Sequence, residues 1–176
     1  MPVRKARLQD AEKIHALVNS LSGDGTLLSR PFAEICENIR DFTVAESHSG
    51  EFQGCGALHL YGPHLAEVRS IVVRPEWKGC GRGHDLLQAL LEEAEQHGVG
   101  CVCLFTRIPE FFGNSGFFVV EDRAALPDKI YKDCQVCPRI QNCDEVAMAH
   151  GVLPDVSILG PREPVEQLVQ LARSAN

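Results

Sequence analysis

Two hydrophobic periods alternate along this chain, and their order outlines a fold. Val3–Arg7 reads as a short edge strand. Ile14, Leu17, Val18 and Leu21 then recur at helical spacing behind Asp10, a residue suited to cap a helix. Ser22-Gly23-Asp24-Gly25 ends that helix. Phe32, Ile35, Cys36 and Ile39 predict a second one, running to about Arg40. Phe42–Glu46 and Gln53–Tyr61 read as an antiparallel pair turning at His48-Ser49-Gly50, and Leu65–Arg74 as another strand. After a glycine-rich loop, Leu86, Leu87, Leu90, Leu91 and Ala94 form a wide apolar stripe on a helix from about Arg82 to Gln96. Val99–Phe105 is a buried strand, Pro109–Asn114 a short helical turn, Phe117–Val120 a strand and Glu145–Ala149 the last strand. Beyond Gly151, three prolines break the chain, and Val165, Leu168, Val169 and Ala172 suggest a small amphipathic helix. That helix would pack on the domain or on a partner chain, which leaves a homodimer open.

Composition narrows the classes. At 176 residues, with 44% apolar and 23% charged positions, the chain fits one domain and needs no disulfide or metal to fold. We expect that domain over 1–150 and a tail over 151–176. A net charge of −7 argues against a nucleic-acid backbone binder, which needs a basic footprint. Runs such as Ile71–Val73 and Cys101–Phe105 are too short to span a bilayer, so no membrane partner is expected. The charged start, MPVRKARLQD, lacks an apolar leader, and we expect a cytoplasmic protein with reduced thiols. Eight cysteines are then conspicuous. Cys36, Cys55, Cys80, Cys101 and Cys103 lie singly in regular segments, whereas Cys134, Cys137 and Cys143 are clustered.

The chemistry concentrates in Arg74–Gly83, between a strand and a helix. Gly79, Gly81 and Gly83 let backbone come close to a ligand, and the unpaired N–H groups of the following helix point at the same place. Arg74, Lys78 and Arg82 against Glu76 make the loop basic inside an acidic protein. The outline is a diphosphate site. A P-loop is excluded because His84-Asp85 follows Gly83, and a dinucleotide turn because the spacing is G-x-G-x-G. A glycine-rich turn that merely caps a helix remains the alternative.

Lys78-Gly79-Cys80-Gly81-Arg82-Gly83 resembles the acetyl-coenzyme A loop of the GNAT acetyltransferases, with Lys where the motif has Arg or Gln. Residues 3–149 further resemble the acetyltransferase domain of the N-acetylglutamate synthases. The matching stretches are Gly25–Arg30, Ile39–Glu46, Gly54–His59, Ala66–Val73, Phe111–Phe117 and Ala125–Lys129. The resemblance implies a GNAT fold: a mixed, mostly antiparallel sheet of six to seven strands with helices on both faces (α/β, or α+β). It implies an acetyl-CoA-dependent enzyme that acetylates the α-amine of L-glutamate in arginine biosynthesis, without a metal.

By the same resemblance, the backbone of Ile71, Val72 and Val73 pairs with the pantetheine arm, and Lys78 to Gly83 (Lys78, Gly79, Cys80, Gly81, Arg82, Gly83) hold the diphosphate. Glu67 is the candidate base, against the alternative of a solvated strand carboxylate. Leu28, Arg30, Ser70 and Arg139 are the candidate substrate contacts, Arg139 being the nearest match to a second synthase arginine. Glu67 and Ser70 are three apart, so in a regular strand they face opposite sides. Both can line one cleft only across a β-bulge. The resemblance implies one, since the fourth strand of the GNAT fold is bulged at the cofactor, and we expect it near Ser70–Ile71. Phe112 stands where many GNAT enzymes carry a tyrosine acid. Thr106, a water or solvent must then protonate the leaving thiolate.

C-x₂-C-x₅-C over Cys134–Cys143 supplies three soft ligands where zinc needs four, with Asp144, His150 or Cys36 able to complete the set. A redox pair and plain reduced thiols are the other readings, and we expect no metal. Two functional alternatives stay open: the same chemistry on another amino acid, a polyamine or a protein N-terminus, and a non-catalytic sensor of acetyl-CoA or metal.

Overall fold

The computed structural model describes residues 3–21 and 29–159. In chain order the elements are β1 (Val3–Lys5), α1 (Ala11–Ser20), α2 (Phe32–Glu37), β2 (Phe42–Glu46), β3 (Phe52–Gly62) and β4 (Leu65–Val73). There follow α3 (Arg82–Gln96), β5 (Cys101–Thr106), α4 (Pro109–Gly113), β6 (Phe118–Val119), α5 (Pro127–Lys132) and β7 (Val146–Gly151). The strands form one seven-stranded sheet in the order β1-β2-β3-β4-β5-β7-β6. Every pairing is antiparallel except β4 with β5, the two strands joined by the α3 crossover. Among the described residues no helix is long and apolar enough to cross a membrane.

Three apolar clusters cover the sheet. On one face Leu87, Leu90 and Ala94 of α3 and Phe112 of α4 pack on Leu58, Val68, Val102 and Leu104. The helical stripe read from the sequence is the reason. Its leucines 86, 87 and 90 are fully buried, and burial of such a side chain contributes about 1.5–3 kcal/mol. On the other face, Ile14 and Val18 of α1 and Ile35 of α2 cover Phe42, Val44, Cys55 and Val72. Leu126, just before α5, closes the far end of that face over Leu65, Cys101 and Cys103. Helices therefore lie on both faces, as the fold class requires.

The expected bulge is present and shapes the centre of the sheet. Cys55 pairs with Val72 and Ala57 with Arg69, so Gly56 alone opposes both Ser70 and Ile71. Ser70 sits at φ 54°, the one positive φ outside glycine among the described residues. A bulge bends and overtwists its strand. The β4–β5 ladder is correspondingly short: Ala66 pairs with Val102 and Glu67 with Cys103, and no further pair forms. Beyond it the two strands part, and the β5-side edge of Ile71–Val73 is left without a strand partner.

Several boundaries differ from the sequence expectation, each for a local reason. Asp10 stands at the start of α1 but does not cap it. Its carboxylate accepts from the Arg7 N–H at 2.8 Å and from Arg4 at 2.8 Å, stapling the preceding turn. The second helix stops at Glu37 rather than Arg40, because Asn38 donates its amide to the Glu34 carbonyl at 2.8 Å and a tighter turn follows. The α5 helix lay hidden in six residues opened by Pro127. The tail helix expected at 165–172 lies outside the described residues.

Gly54 is forced by the same strand crossing. A Cβ there would lie 2.6 Å from the Val72 carbonyl oxygen, which is backbone and cannot swing aside. Gly54→Ala should therefore lower the unfolding free energy by about 1–3 kcal/mol in urea titration. An unchanged midpoint would show that the two strands separate there without cost.

Candidate active site

Two arrangements meet at the bulge, one on each side of β4. The first is a cleft of about 430 Å³ where β4 and β5 part. Its walls are Ile71, Val72 and Val73, the loop residues Lys78, Gly79, Gly81, Arg82 and Gly83, and Phe111 and Phe112 of α4. Of the nine residues expected around a cofactor, only Cys80 lies off this wall, exposed on the outer turn. Gly79 and Gly81 adopt φ 77° and 80°, the left-handed region that a side chain adopts only with strain. Gly81 opens α3, and the first bond inside the helix runs from the Asp85 N–H to the Gly81 carbonyl at 3.0 Å. The N–H groups ahead of it have no acceptor within the helix, and the helix dipole adds positive character there. Gly83 allows close contact, since a Cβ would meet the Phe111 ring at 3.2 Å. The Arg82 guanidinium is buried and pairs with Asp85 at 2.7 Å, so Lys78 is the less committed of the two cations.

The second arrangement lies on the opposite face. Past the bulge, Ser70 turns toward α1 and α2, and Ile71 toward the α3 cluster. The Arg30 Nε donates to the Ser70 hydroxyl at 2.8 Å. The Arg30 backbone is clamped to α1: its N–H donates to Asn19 Oδ1 and its carbonyl accepts from Asn19 Nδ2, both at 3.0 Å. Its guanidinium also pairs with Glu34, one turn into α2. Two predicted substrate residues are thereby in contact, although 40 positions separate them. Leu28 lies outside the described residues. Arg139 begins the turn at 140–142, where its charge acts on Asp144.

Glu67 is not a solvated strand carboxylate. It is 3% exposed. The Lys129 ammonium lies 2.7 Å from one carboxylate oxygen, and the Tyr61 hydroxyl donates to the other at 2.8 Å. The same hydroxyl reaches Asp133 at 2.5 Å, so one phenolic hydrogen serves two carboxylates. Burial and both anions push the Tyr61 phenol far up, and it stays protonated. Burial opposes charge on Lys129, but Glu67 and Asp133 outweigh it and the ammonium is held well above its usual range. Burial likewise opposes charge on Asp133, and Lys129, Tyr61 and Arg69 outweigh it in the other direction. Arg69 stands 3.8 Å from both Glu67 and Asp133, too far for a hydrogen bond.

A glycine-cradled helix start beside a parted parallel strand pair is one construction; its match to known proteins is equally direct. Residues 13–117 match the acetyltransferase (GNAT) family. The chain belongs to the GNAT acetyltransferase family. Among its relatives is an uncharacterized N-acetyltransferase of Chlorobaculum tepidum, 38% identical over 83% of this chain and 93% of that protein. An amino-acid acetyltransferase of Mycobacterium tuberculosis is 36% identical over 76% of this chain and 77% of that protein. Among solved structures, N-acetylglutamate synthase from Neisseria gonorrhoeae, complexed with coenzyme A and N-acetyl-glutamate, superposes with a TM-score of 0.76 at 25% identity. That alignment covers 87% of this chain but 35% of the neisserial chain, so this chain spans about a third of that synthase.

Within this GNAT domain, Phe112 is buried against Phe111 and Phe117, ring to edge, and offers no hydroxyl. The Thr106 hydroxyl accepts from the Ile108 N–H at 3.0 Å, a bond that does not use its own hydrogen. Tyr61, Arg69, Lys129 and Asp133 were missed as site residues by sequence reasoning. Arg69 and Lys129 had a signal, inside the Ala66–Val73 and Ala125–Lys129 matches, and nothing local assigned either a role. Among the described residues no three His, Cys, Asp or Glu side chains converge as a metal site, the Cys134–Cys143 segment included.

Burial also sorts the thiols. It pushes Cys55 up to about 12, Cys101 up to about 11 and Cys103 well above its ordinary value, while Cys80 is exposed. A thiol reagent at pH 8 should modify Cys80 in the native protein and reach these three only in denaturant, because the thiolate is the nucleophile. Peptide mapping of labelled protein checks this, and prompt native labelling of Cys55 would contradict it.

Proposed function

We propose that this chain transfers acetyl from acetyl-CoA to the α-amine of L-glutamate, as the first step of arginine biosynthesis in the cytoplasm. The observation that carries the reading is the bulge at Ser70–Ile71. It opens the β4 edge toward the glycine loop on one face and turns Ser70 to Arg30 on the other. On this reading the donor lies along the β4 edge and the acceptor beside Ser70, at the two ends of the bulge. The amino-acid acetyltransferase relatives and the ligands of the neisserial synthase support the choice of substrate.

The residues fit such a donor. The strand-like edge of Ile71–Val73 offers N–H and carbonyl groups to an amide-bearing arm. Gly79 and Gly81 admit a diphosphate to the N-terminus of α3, with Lys78 as added positive charge. The donor supplies an activated thioester carbonyl. A neutral amine attacks it, the C–N bond forms, the nitrogen sheds its extra proton to water, the C–S bond breaks, and the departing thiolate takes up a proton in return.

Three tasks fall to the chain. Glu67 takes the proton that the acceptor's ammonium must lose, through a water. Arg30 holds a substrate carboxylate with Ser70 beside it and Leu28 adjacent in sequence; a guanidinium is suited to bidentate pairing. Arg139 is the candidate for the second carboxylate. Thr106 or solvent returns a proton to the thiolate.

Thiol release from acetyl-CoA across a panel of amino acids and polyamines is the direct test, with turnover expected on glutamate ahead of glutamine and aspartate. No thiol release with any amine of the panel would overturn this reading and favour a non-catalytic sensor. Arg30→Ala should cut kcat/KM for glutamate by roughly 10- to 100-fold, the loss of a charge-assisted bond. Undiminished activity would remove the dicarboxylate assignment. Gly81→Ala should raise the KM for acetyl-CoA with little change in that for glutamate, since the strain falls on the loop alone. Equal effects on both would contradict the division of the site.

A further inference from the structure

Lys129 reaches Glu67 from a part of the chain that has its own anchorage. The α5 helix is only six residues long and would not hold its place by helical propensity alone. Its second residue, Asp128, is completely buried. That carboxylate pairs with His64 and accepts from the Ser157 hydroxyl at 2.9 Å and from the backbone N–H groups of Ile158 and Leu159, the latter at 2.7 Å. Asp128 thus ties α5 to the β3–β4 turn and to the segment after β7. Lys129, the next residue, points the other way. Its ammonium lies 2.7 Å from Glu67, 3.4 Å from Asp133 and 5.4 Å from the centre of the Phe105 ring.

The groups facing Glu67 come from every neighbouring element. They are His59 and Tyr61 from β3, the former directly opposite Glu67 in the register, Arg69 from β4, Cys103 from β5, Lys129 from α5, and Asp133 and Cys134 just after it. Tyr61 is neutral and shares its hydrogen with Asp133. Cys103 is a protonated, buried thiol, and Cys134 is raised by burial as well. Arg69 stays 3.8 Å away. Lys129 is the one cation at hydrogen-bonding distance among them.

We propose that Lys129 is a positioning residue: it keeps the buried Glu67 carboxylate ionised and oriented, so that Glu67 can take the acceptor's proton. This rests on Glu67 being the base. A buried carboxylate stripped of its cation prefers to be neutral. Without the Lys129 charge, Glu67 takes up a proton more readily, and in that form it accepts no other. Raising the pH removes that proton and restores the base.

The pH profile of kcat/KM for glutamate, with saturating acetyl-CoA, reads this directly in the wild type, K129M, K129Q, K129R and E67Q. In K129M the low-pH limb should move up by roughly one to three pH units, with the loss of activity relative to wild type growing as the pH falls. K129Q keeps a hydrogen-bond donor without the charge and should show the same displaced limb, which preserves the test if K129M does not fold. K129R should return the limb to its wild-type place. A uniform loss at every pH with the limb unmoved would overturn the proposal and leave Lys129 a structural residue. Thermal unfolding of each variant separates lost fold from lost chemistry. E67Q isolates the underlying reading: if it retains wild-type activity, Glu67 is not the base, whatever Lys129 does.

Discussion

One extra residue in β4 governs this structure. Side chains on a strand alternate faces, so without the bulge Ser70 would point toward α3, with Ala66 and Val68. Because Gly56 opposes two residues, alternation slips by one at Ser70, and Ser70 and Val72 join the face that carries Glu67. The same irregularity shortens the pairing of β4 with β5 to two residue pairs. A regular strand would have closed the cleft and turned Ser70 away from Arg30. The backbone strain at Ser70 (φ 54°) is what this arrangement requires, and the hydrogen bond from Arg30 helps to hold it.

The two sides of the bulge meet different electrostatic demands. The loop side presents positive backbone and Lys78 to a cleft open to solvent, which suits an anionic ligand that comes and goes. The Glu67 side is a closed account of opposite charges: Glu67 and Asp133 against Lys129, with Arg69 at greater distance. A buried ion pair adds little net stability over apolar side chains of similar volume. The cluster is therefore better understood through what it does to Glu67 than through what it adds to the fold.

Much of this architecture was legible beforehand. The α3 stripe, the β2–β3 pair and the glycine loop were readable because each depends on residues within one or two turns of one another. The bulge was also legible, though by a different route. Glu67 and Ser70 had the wrong parity for a shared role, and the GNAT resemblance placed the irregularity that resolves the conflict. The missed parts are equally specific. The α5 helix is too short for a periodic signal and starts on a proline. Asp10 looked like a cap for α1, yet Arg4 and the Arg7 N–H claim its carboxylate. Glu67 read equally as base or surface carboxylate, because nothing near it in sequence announces Lys129, 62 positions on.

The sequence by itself determined every element except α5, their order, the GNAT resemblance and the chemistry of the loop, since periodicity and glycine spacing are properties of neighbouring residues. Tertiary structure alone decided which charges surround Glu67 and that Arg30 lies on Ser70. Those outcomes depend on sheet order, on one slipped residue in β4, and on the anchoring of a six-residue helix. All three bring together side chains that sit dozens of positions apart, and although the slip itself could be expected, no local pattern encodes which side chains meet across it.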